Sequence, residues 1–270
     1  MVWSATDAQK RCAIIDSVLD FDLHACRTST VSADAVIDFV RQQGFVVEWI
    51  LETHIHADHV TAASYIKEKM GGKIAISKHM LDIISTWTPI FQTQEDTPAD
   101  GSAFDHLFEN DEEFTIADMP AKIIHTPGHT PADTTYIVGN AAFVGDTIFL
   151  PDVGSGRCDF PGGSAEDSYD SSRKLFALPD DLRIYVGHDY PPEGVRGPQC
   201  MATVGEQKTA NVRLNLQVGK AEFVAKRKAD DNGKAVPPLI LPSLQANMRT
   251  GKFGKAVNGL QFVKLPLNRM

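Results

Sequence analysis

The sequence predicts an α/β fold made of layered strands and helices. In the first third of the chain, short apolar runs alternate with segments whose apolar residues recur at helical spacing, in the order β-α-β-α-β. Later, short apolar runs follow one another across brief turns such as Gly139-Asn140, a pattern typical of an antiparallel meander. Histidines and aspartates directly follow several runs, at the strand ends where sites form in α/β folds.

The first third of the chain contains five predicted elements. They are a strand over residues 12–16, a helix over 32–43, a strand over 46–51, a helix running from Asp58 to Met70, and a strand over 73–77. Gly44 and Gly71 end the two helices, since glycine readily adopts the left-handed conformation that follows a last helical turn.

The rest of the chain is less regular. Residues 85–110 are predicted to form a loop, which is either a lid or a surface excursion that its aromatic residues pin down. Beyond it, strands are predicted over 114–116, 122–126, 134–138, 142–144 and 183–186, helices over 164–178 and from Thr203, a polar stretch over 226–234, and strand-like runs at 239–241 and 260–265.

Composition excludes several classes of protein. The net charge of −9 argues against a general nucleic-acid or anionic-membrane binder. No apolar run approaches the ~18 residues of a membrane span, and the first ten residues lack the apolar stretch of a signal peptide. The four cysteines are widely separated, which indicates free thiols in a reducing cytoplasm.

The segment after the second strand has the composition of a metal site. His54, His56, Asp58 and His59 place three imidazoles and a carboxylate within six residues. On extended chain, positions 54 and 56 point the same way, and the following turn brings positions 58 and 59 back over the same space. Imidazole and carboxylate ligands suit zinc, iron and similar metals.

Three more candidate ligands follow later strands. His129 lies in Pro-Gly-His after one strand, Asp146 in Gly-Asp after another, and His188 in Gly-His-Asp-Tyr after a third. Polar residues at strand ends converge in α/β folds, so we expect these three to join the first group. The other histidines lack a partner pattern and are expected to lie in the core or at the surface.

Together these motifs resemble the metallo-β-lactamase superfamily. Thr-His-Ile-His-Ala-Asp-His at 53–59, Pro-Gly-His at 127–129, Gly-Asp at 145–146 and Gly-His-Asp-Tyr at 187–190 occur in the family's order. The resemblance implies an αββα sandwich, two mixed sheets packed face to face with helices outside. It also implies a single domain over 1–270, in which residues 191–270 form a family-specific C-terminal extension packed on it.

Within that superfamily, the chain is most similar to the persulfide dioxygenases. The similarity lies in Gly-Arg-Cys-Asp-Phe at 156–160, and in the tail at 203–208 and 241–247. It implies oxidation of glutathione persulfide, or a related persulfide, by O₂ to sulfite and thiol. One Fe(II) per chain is implied, with His54, His129 and Asp146 as ligands. The implied catalytic residues, which line the pocket and orient the ligands, are His56, Asp58, His59 and His188.

A hydrolase similar to glyoxalase II is the alternative. The same seven groups are sufficient for two zinc ions, bridged by Asp146, and a thioester substrate. A non-catalytic metal-binding sensor is a third hypothesis, which the complete ligand set disfavours. The sequence predicts the metal pocket, and the choices between iron and zinc and between one and two metals stay open.

Glutathione carries two carboxylates, so cationic and phenolic partners are expected for the substrate. The candidates are Arg157, Tyr190 and Arg213, although Arg157 is equally expected to pair with Asp159. Cys158 is expected to pack rather than react.

We expect a small-molecule persulfide or thioester and O₂ as partners, and neither nucleic acid nor membrane. A homodimer would be ordinary for such an enzyme. One departure concerns the N-terminus, where family members usually have a strand before residue 12. We expect either that this edge strand is absent or that the start of the chain is shortened.

Overall fold

The computed structural model of the protein describes residues 1–4, 6–191 and 193–269. The chain forms two compact units. The first unit comprises Met1–Phe108, Thr115–Met119 and Ala235–Met270, and the second comprises Glu109–Phe114 and Pro120–Lys234. The prediction of a single domain with an extension over 191–270 stays a prediction.

The first unit is built on a mixed five-stranded sheet in the order β1-β2-β5-β7-β8. Its strands are β1 (Val2–Trp3), β2 (Arg11–Ile15), β5 (Val46–Leu51), β7 (Lys73–Ser77) and β8 (His106–Phe108). Strands β2, β5, β7 and β8 are parallel, and β1 runs antiparallel to β2. A smaller antiparallel sheet contains β3 (Val18–Asp22), β4 (Arg27–Ser29) and β6 (Val60–Thr61). The N-terminal edge strand is therefore present, although it is only two residues long.

The first unit also contains four helices. They are α1 (Val31–Gln43), α2 (Ala63–Met70), α3 (Met80–Phe91) and α7 (Ile240–Asn247). Helix α2 begins five residues later than predicted, because Val60 and Thr61 first pair with β3.

Three predictions for the first unit were wrong. The predicted loop over 85–110 overlaps α3, whose apolar residues recur at helical spacing and are buried. Pro89 lies inside the helix near its end. The strand-like run at 239–241 instead leads into α7, where Pro242 lies in the first turn and no backbone N–H is missed. The run at 260–265 contains no strand and only an isolated bridge between Val257 and Leu260.

A mixed six-stranded sheet lies mostly in the second unit, in the order β14-β13-β12-β11-β10-β9. Its strands are β9 (Glu113–Ile116), β10 (Met119–His125), β11 (Thr134–Val138), β12 (Ala141–Phe143), β13 (Arg183–Tyr185) and β14 (Met201–Thr203). The predicted meander is confirmed for β10 to β12, while β12 and β13 are parallel.

Three helices belong to the second unit: α4 (Ala165–Phe176), α5 (Val204–Ala210) and α6 (Lys220–Asp231). Thr203 caps α5 in a capping box with Glu206, which explains the predicted helix start. The stretch predicted only as polar at 226–234 is mostly helical, because Phe223 and Arg227 lie on a buried face of α6.

No helix among the described residues is long and apolar enough to cross a membrane. The four cysteines are free, as predicted, with Cys12 and Cys158 buried.

A buried ion pair in α6 generates a stability prediction. Arg227 and Asp231 are 2% and 4% exposed, and the Arg227 Nε atom lies 2.8 Å from an Asp231 oxygen. We expect Asp231→Ala to lower the free energy of unfolding by ~3–5 kcal/mol, because it leaves the guanidinium buried without its carboxylate. Urea unfolding of the metal-free protein measures this.

The matched control is Asp170→Ala, which removes the half-exposed partner of Lys220. We expect a change of at most ~1 kcal/mol, as for other surface ion pairs. Equal losses in the two variants would contradict the prediction.

Candidate metal centre

The predicted ligands form two groups, one in each compact unit. His54, His56, Asp58 and His59 lie in the first unit, in the turn that leaves β5 and enters β6. His54 and His56 are 1% and 3% exposed. Ligand atoms of His56, Asp58 and His59 all lie within 4.8 Å of one another, a spacing that a metal ion can bridge. The structure therefore groups these three predicted residues.

Residues 53–59, between β5 and β6, form the histidine turn. A single carboxylate, that of Asp16, holds this turn in place. Asp16 accepts hydrogen bonds from the Thr53 N–H and hydroxyl, at 2.7 and 2.8 Å, and lies 3.0 Å from His56 Nε2. The Thr53 hydroxyl is in turn 3.0 Å from His54 Nδ1. Asp16 thus orients His56 directly and His54 through Thr53.

His56 lies between two carboxylates. Its Nε2 is also 3.2 Å from Glu52, which is 2% exposed. Burial lowers the pKa of His56, but the charges of Asp16 and Glu52 and their hydrogen bonds outweigh it and raise that pKa well above its usual value. Nε2 faces the two carboxylates, so a metal ion that binds Nδ1 takes the place of the Nδ1 proton and leaves the Nε2 proton with Asp16 and Glu52. A carboxylate behind a histidine is how metal-binding imidazoles are commonly oriented.

The residues of the histidine turn fit a metal ion. Nδ1 of His56 and Nε2 of His59 are buried and have no hydrogen-bond partner among the described residues. The other nitrogen of His59 lies 3.1 Å from Asp58. Buried polar nitrogens without partners are costly, and a bound metal satisfies them. Imidazoles and carboxylates together suit zinc or iron.

The second unit brings His129, Asp146 and His188 together. The Nε2 atoms of the two histidines lie 3.6 and 3.7 Å from the two oxygens of Asp146. Two atoms that each sit about 2.1 Å from one metal are ~3–4 Å apart, so these distances suit shared coordination. Glycines border Asp146: a Cβ at Gly156 would lie 2.2 Å from its carbonyl oxygen, and one at Gly187 would lie 2.7 Å from Oδ1.

The loop at 156–160 is built onto His129. The His129 Nδ1–H donates to the Arg157 carbonyl at 2.8 Å, which leaves Nε2 as the ligand nitrogen. The Phe160 ring meets the His129 ring edge to face at 5.1 Å. Asp231 of α6 holds the loop from behind, since it accepts a 2.9 Å hydrogen bond from the Cys158 N–H.

A short turn held by Asp133 directly follows His129 in the chain. The Thr130 N–H and hydroxyl both donate to Asp133, at 2.7 and 2.5 Å. Burial raises the pKa of Asp133 to about 6, although the nearby His129 and the Thr130 hydrogen bonds lower it.

The three predicted substrate-binding residues differ in their surroundings. Arg157 pairs with Asp159 through Nε and a terminal nitrogen, at 2.6 and 2.7 Å, which is the alternative the sequence also allowed. Arg213 pairs with Asp230. Tyr190 is 58% exposed. Their roles in substrate binding stay predictions.

Tyr190 belongs to an aromatic cluster beside His188. Its ring stacks on His188 at 5.6 Å and meets Phe149 edge to face at the same distance. Cys158, by contrast, is buried in the core of the second unit, and burial raises its pKa to about 12. A protonated, buried thiol fits the expected packing role.

Sequence reasoning missed Asp16 and Glu52. Asp16 ends the first predicted strand and Glu52 lies two residues before His54. Acidic residues at the ends of neighbouring buried strands were the available signal, because parallel strands β2 and β5 bring their ends together.

Known relatives bear on this geometry. A "Beta-lactamase hydrolase-like protein" of Xylella fastidiosa is 45% identical over 262 residues, which cover 97% of this chain and 60% of that protein. "Glyoxylase B2" of Dictyostelium discoideum is 44% identical over 96% of this chain and 89% of its own. "Persulfide dioxygenase ETHE1, mitochondrial" of Bos taurus is 28% identical over 90% and 80%. The chain spans about 60% of the length of the Xylella fastidiosa protein.

A solved structure, ETHE1 from Myxococcus xanthus, has the same fold, with a TM-score of 0.71, 24% identity and 93% of each chain covered. The predicted fold class, with mixed sheets flanked by helices, is confirmed. The family model of the metallo-beta-lactamase superfamily matches residues 7–188, a range that contains all seven predicted ligands. The chain therefore belongs to the metallo-β-lactamase superfamily.

Proposed function

We propose that this protein is an Fe(II)-dependent persulfide dioxygenase that oxidises glutathione persulfide or a related persulfide. The observation that carries the proposal is the loop at 156–160. This Gly-Arg-Cys-Asp-Phe loop is the segment by which the chain resembles persulfide dioxygenases, and it contacts His129 and Asp146 directly. The bovine persulfide dioxygenase among the relatives supports the same assignment.

By motif position, His54, His129 and Asp146 would hold the iron. With two imidazoles and one carboxylate as ligands, Fe(II) would keep open positions and would supply the activation of O₂ and affinity for a soft sulfur anion. His56, Asp58, His59 and His188 then orient these ligands and line the pocket.

The exposed ring of Tyr190, in the aromatic cluster beside His188, supplies a surface for the thiol carrier. Tyr190 presents a phenol beside His188, and its hydroxyl can donate to a carboxylate of glutathione. Arg157 and Arg213 are each held in an ion pair, so we propose that they shape the site more than they bind substrate.

The proposed reaction balances. A persulfide RSSH, one O₂ and one water give the thiol RSH, sulfite and two protons. The terminal sulfur loses four electrons, which reduce O₂, and the sulfur–sulfur bond breaks with the thiol sulfur keeping the bonding pair. The cytoplasmic location and the homodimer stay predictions.

A thioester hydrolase with two metals is the second candidate. The cluster of His56, Asp58 and His59 favours it, because the unpartnered nitrogens of both histidines provide ligands for an additional ion. The two relatives that are 45% and 44% identical, a hydrolase-like protein and a glyoxylase, support this alternative too.

Oxygen uptake separates the two candidates. We expect the Fe(II)-loaded protein to consume O₂ on glutathione persulfide, with sulfite released in equal amount and about one iron per chain, as a two-histidine, one-carboxylate centre requires. An oxygen electrode and metal analysis on the same sample measure this. Absent uptake, together with two bound zinc ions and thioester hydrolysis, would sink the dioxygenase proposal.

Ligand variants test the metal count. We expect His129→Ala and Asp146→Ala each to abolish bound metal, because each removes one of three proposed ligands. His188→Ala should keep the metal and lower activity. Elemental analysis of each purified variant measures the content. Loss of half of a two-metal complement in His188→Ala would favour the dinuclear hydrolase.

Gly156→Ala tests the loop that carries the proposal. Its Cβ would lie 2.2 Å from the Asp146 carbonyl oxygen, so the loop or Asp146 must shift. We expect metal affinity to fall roughly tenfold or more, the range typical of overpacking and of disturbed ligand support. Competition with a chelator measures it.

Gly197→Ala is the control, because a Cβ there meets nothing within 4 Å and its φ is not left-handed. Its metal affinity should match that of the parent protein. Unchanged affinity in Gly156→Ala would contradict the proposed role of the loop.

A further inference from the structure

Helix α7 carries a buried side-chain amide that binds backbone groups of the histidine turn and of the strand after it. Asn247 is 2% exposed, and its Nδ2 donates to the carbonyls of His56 and His59, at 2.9 and 2.8 Å. Its Oδ1 accepts from the Thr61 N–H at 2.8 Å. One side chain that is distant in sequence therefore forms hydrogen bonds with three backbone groups of residues 56–61.

We infer that Asn247 is a positioning residue for the metal centre: it fixes the backbone of the histidine turn so that Nδ1 of His56 and Nε2 of His59 face the same ion. This inference rests on the metal centre of the proposed function and on neither of its two reactions. The family resemblance covers residues 241–247 of the tail without assigning them any role.

The contacts of Asn247 reach His56 by a second route. Thr61, whose N–H binds Asn247, donates its hydroxyl to Glu52 at 2.6 Å. Glu52 in turn contacts the Nε2 of His56 at 3.2 Å. The amide thus holds His56 through its own carbonyl and through the carboxylate behind its ring.

The turn after α7 packs closely on the same segment. A Cβ at Gly251 would lie 2.1 Å from the Thr61 carbonyl oxygen, so only glycine fits there. Ser64 binds Thr250 twice, through the Ser64 N–H to the Thr250 carbonyl at 3.0 Å and between the hydroxyls at 2.6 Å. This close packing holds Asn247 against the histidine turn.

A neighbouring amide on α7 provides the contrast. Gln245 is 1% exposed, donates to the carbonyls of Leu241 and Lys264, and accepts from the Lys264 N–H. Its inventory of two donated bonds and one accepted bond matches that of Asn247, but its partners lie in the tail. Substitutions at Gln245 therefore show the effect of disturbing a buried amide in α7 that has no hydrogen bond to the histidine turn, for comparison with substitutions at Asn247.

The experiment compares Asn247→Asp and Asn247→Ala with Gln245→Glu, using Co(II) alone as the probe. Asn247→Asp keeps the acceptor for Thr61 but places a carboxylate oxygen against two carbonyls. Asn247→Ala removes all three bonds without adding charge. Co(II) affinity, the visible absorption of the bound Co(II), and the rise in melting temperature on metal binding are measured for each variant.

We expect both Asn247 variants to bind Co(II) about tenfold or more weakly, with an altered spectrum and a smaller metal-dependent rise in melting temperature. Gln245→Glu should bind within about twofold of the parent protein, even where its metal-free form is less stable. If Asn247→Asp does not fold, Asn247→Ala and its metal-dependent rise give the answer.

Parent-like Co(II) binding in the foldable Asn247 variants overturns the inference. An equal loss in Gln245→Glu overturns it too, because the effect would then belong to α7 in general. A parent protein that binds no Co(II) removes the metal centre and the inference with it. Co(II) binding that depends on Asn247, in a protein that takes up no O₂ with persulfide, supports the inference and removes only the dioxygenase.

Discussion

The Asp16 carboxylate is the constraint on which the histidine turn depends. It accepts hydrogen bonds from Thr53 and from His56, so it sets the orientation of two imidazoles at once. Asp16 has a φ of +51°, a left-handed conformation that aspartate tolerates better than most residues. The residue with this strained backbone is thus the same residue whose carboxylate binds Thr53. Backbone strain of this kind is typical of functional sites.

In the second unit, a backbone carbonyl orients the candidate ligand histidine, whereas carboxylates orient His56 in the first unit. The Arg157 carbonyl orients His129, and the glycines at 156 and 187 allow the chain to come within contact distance of Asp146. Ion pairs then keep this backbone in place, Arg157 with Asp159 within the loop and Asp231 with Arg227 behind it. In each unit the oxygen partner binds one ring nitrogen of the histidine, Nε2 of His56 or Nδ1 of His129, and leaves the other nitrogen for a metal.

The sequence allowed strands such as β5 and the candidate ligands after it to be predicted, because both are local patterns. The run at 46–51 and the His-rich segment after it needed no knowledge of distant residues. The partners of the ligands could not be found in this way: Asn247 meets His56 across 191 positions, and Asp231 meets Cys158 across 73. Helix α3 is a different case, since its buried apolar residues had helical spacing, but Pro89 and the polar residues after it suggested a loop.

In each unit, the group of predicted ligands is supported by a residue that follows position 191. Asp231 at the end of α6 holds the loop behind His129, and Asn247 at the end of α7 holds the turn that contains His56. Each does so with a buried polar group bonded to main-chain atoms, which fixes position without supplying a ligand. A single buried amide or carboxylate is specific in this way because its bonds have defined directions, whereas apolar packing against the same loops would allow them to slide. The tail therefore restricts where the backbone that carries the predicted ligands can lie.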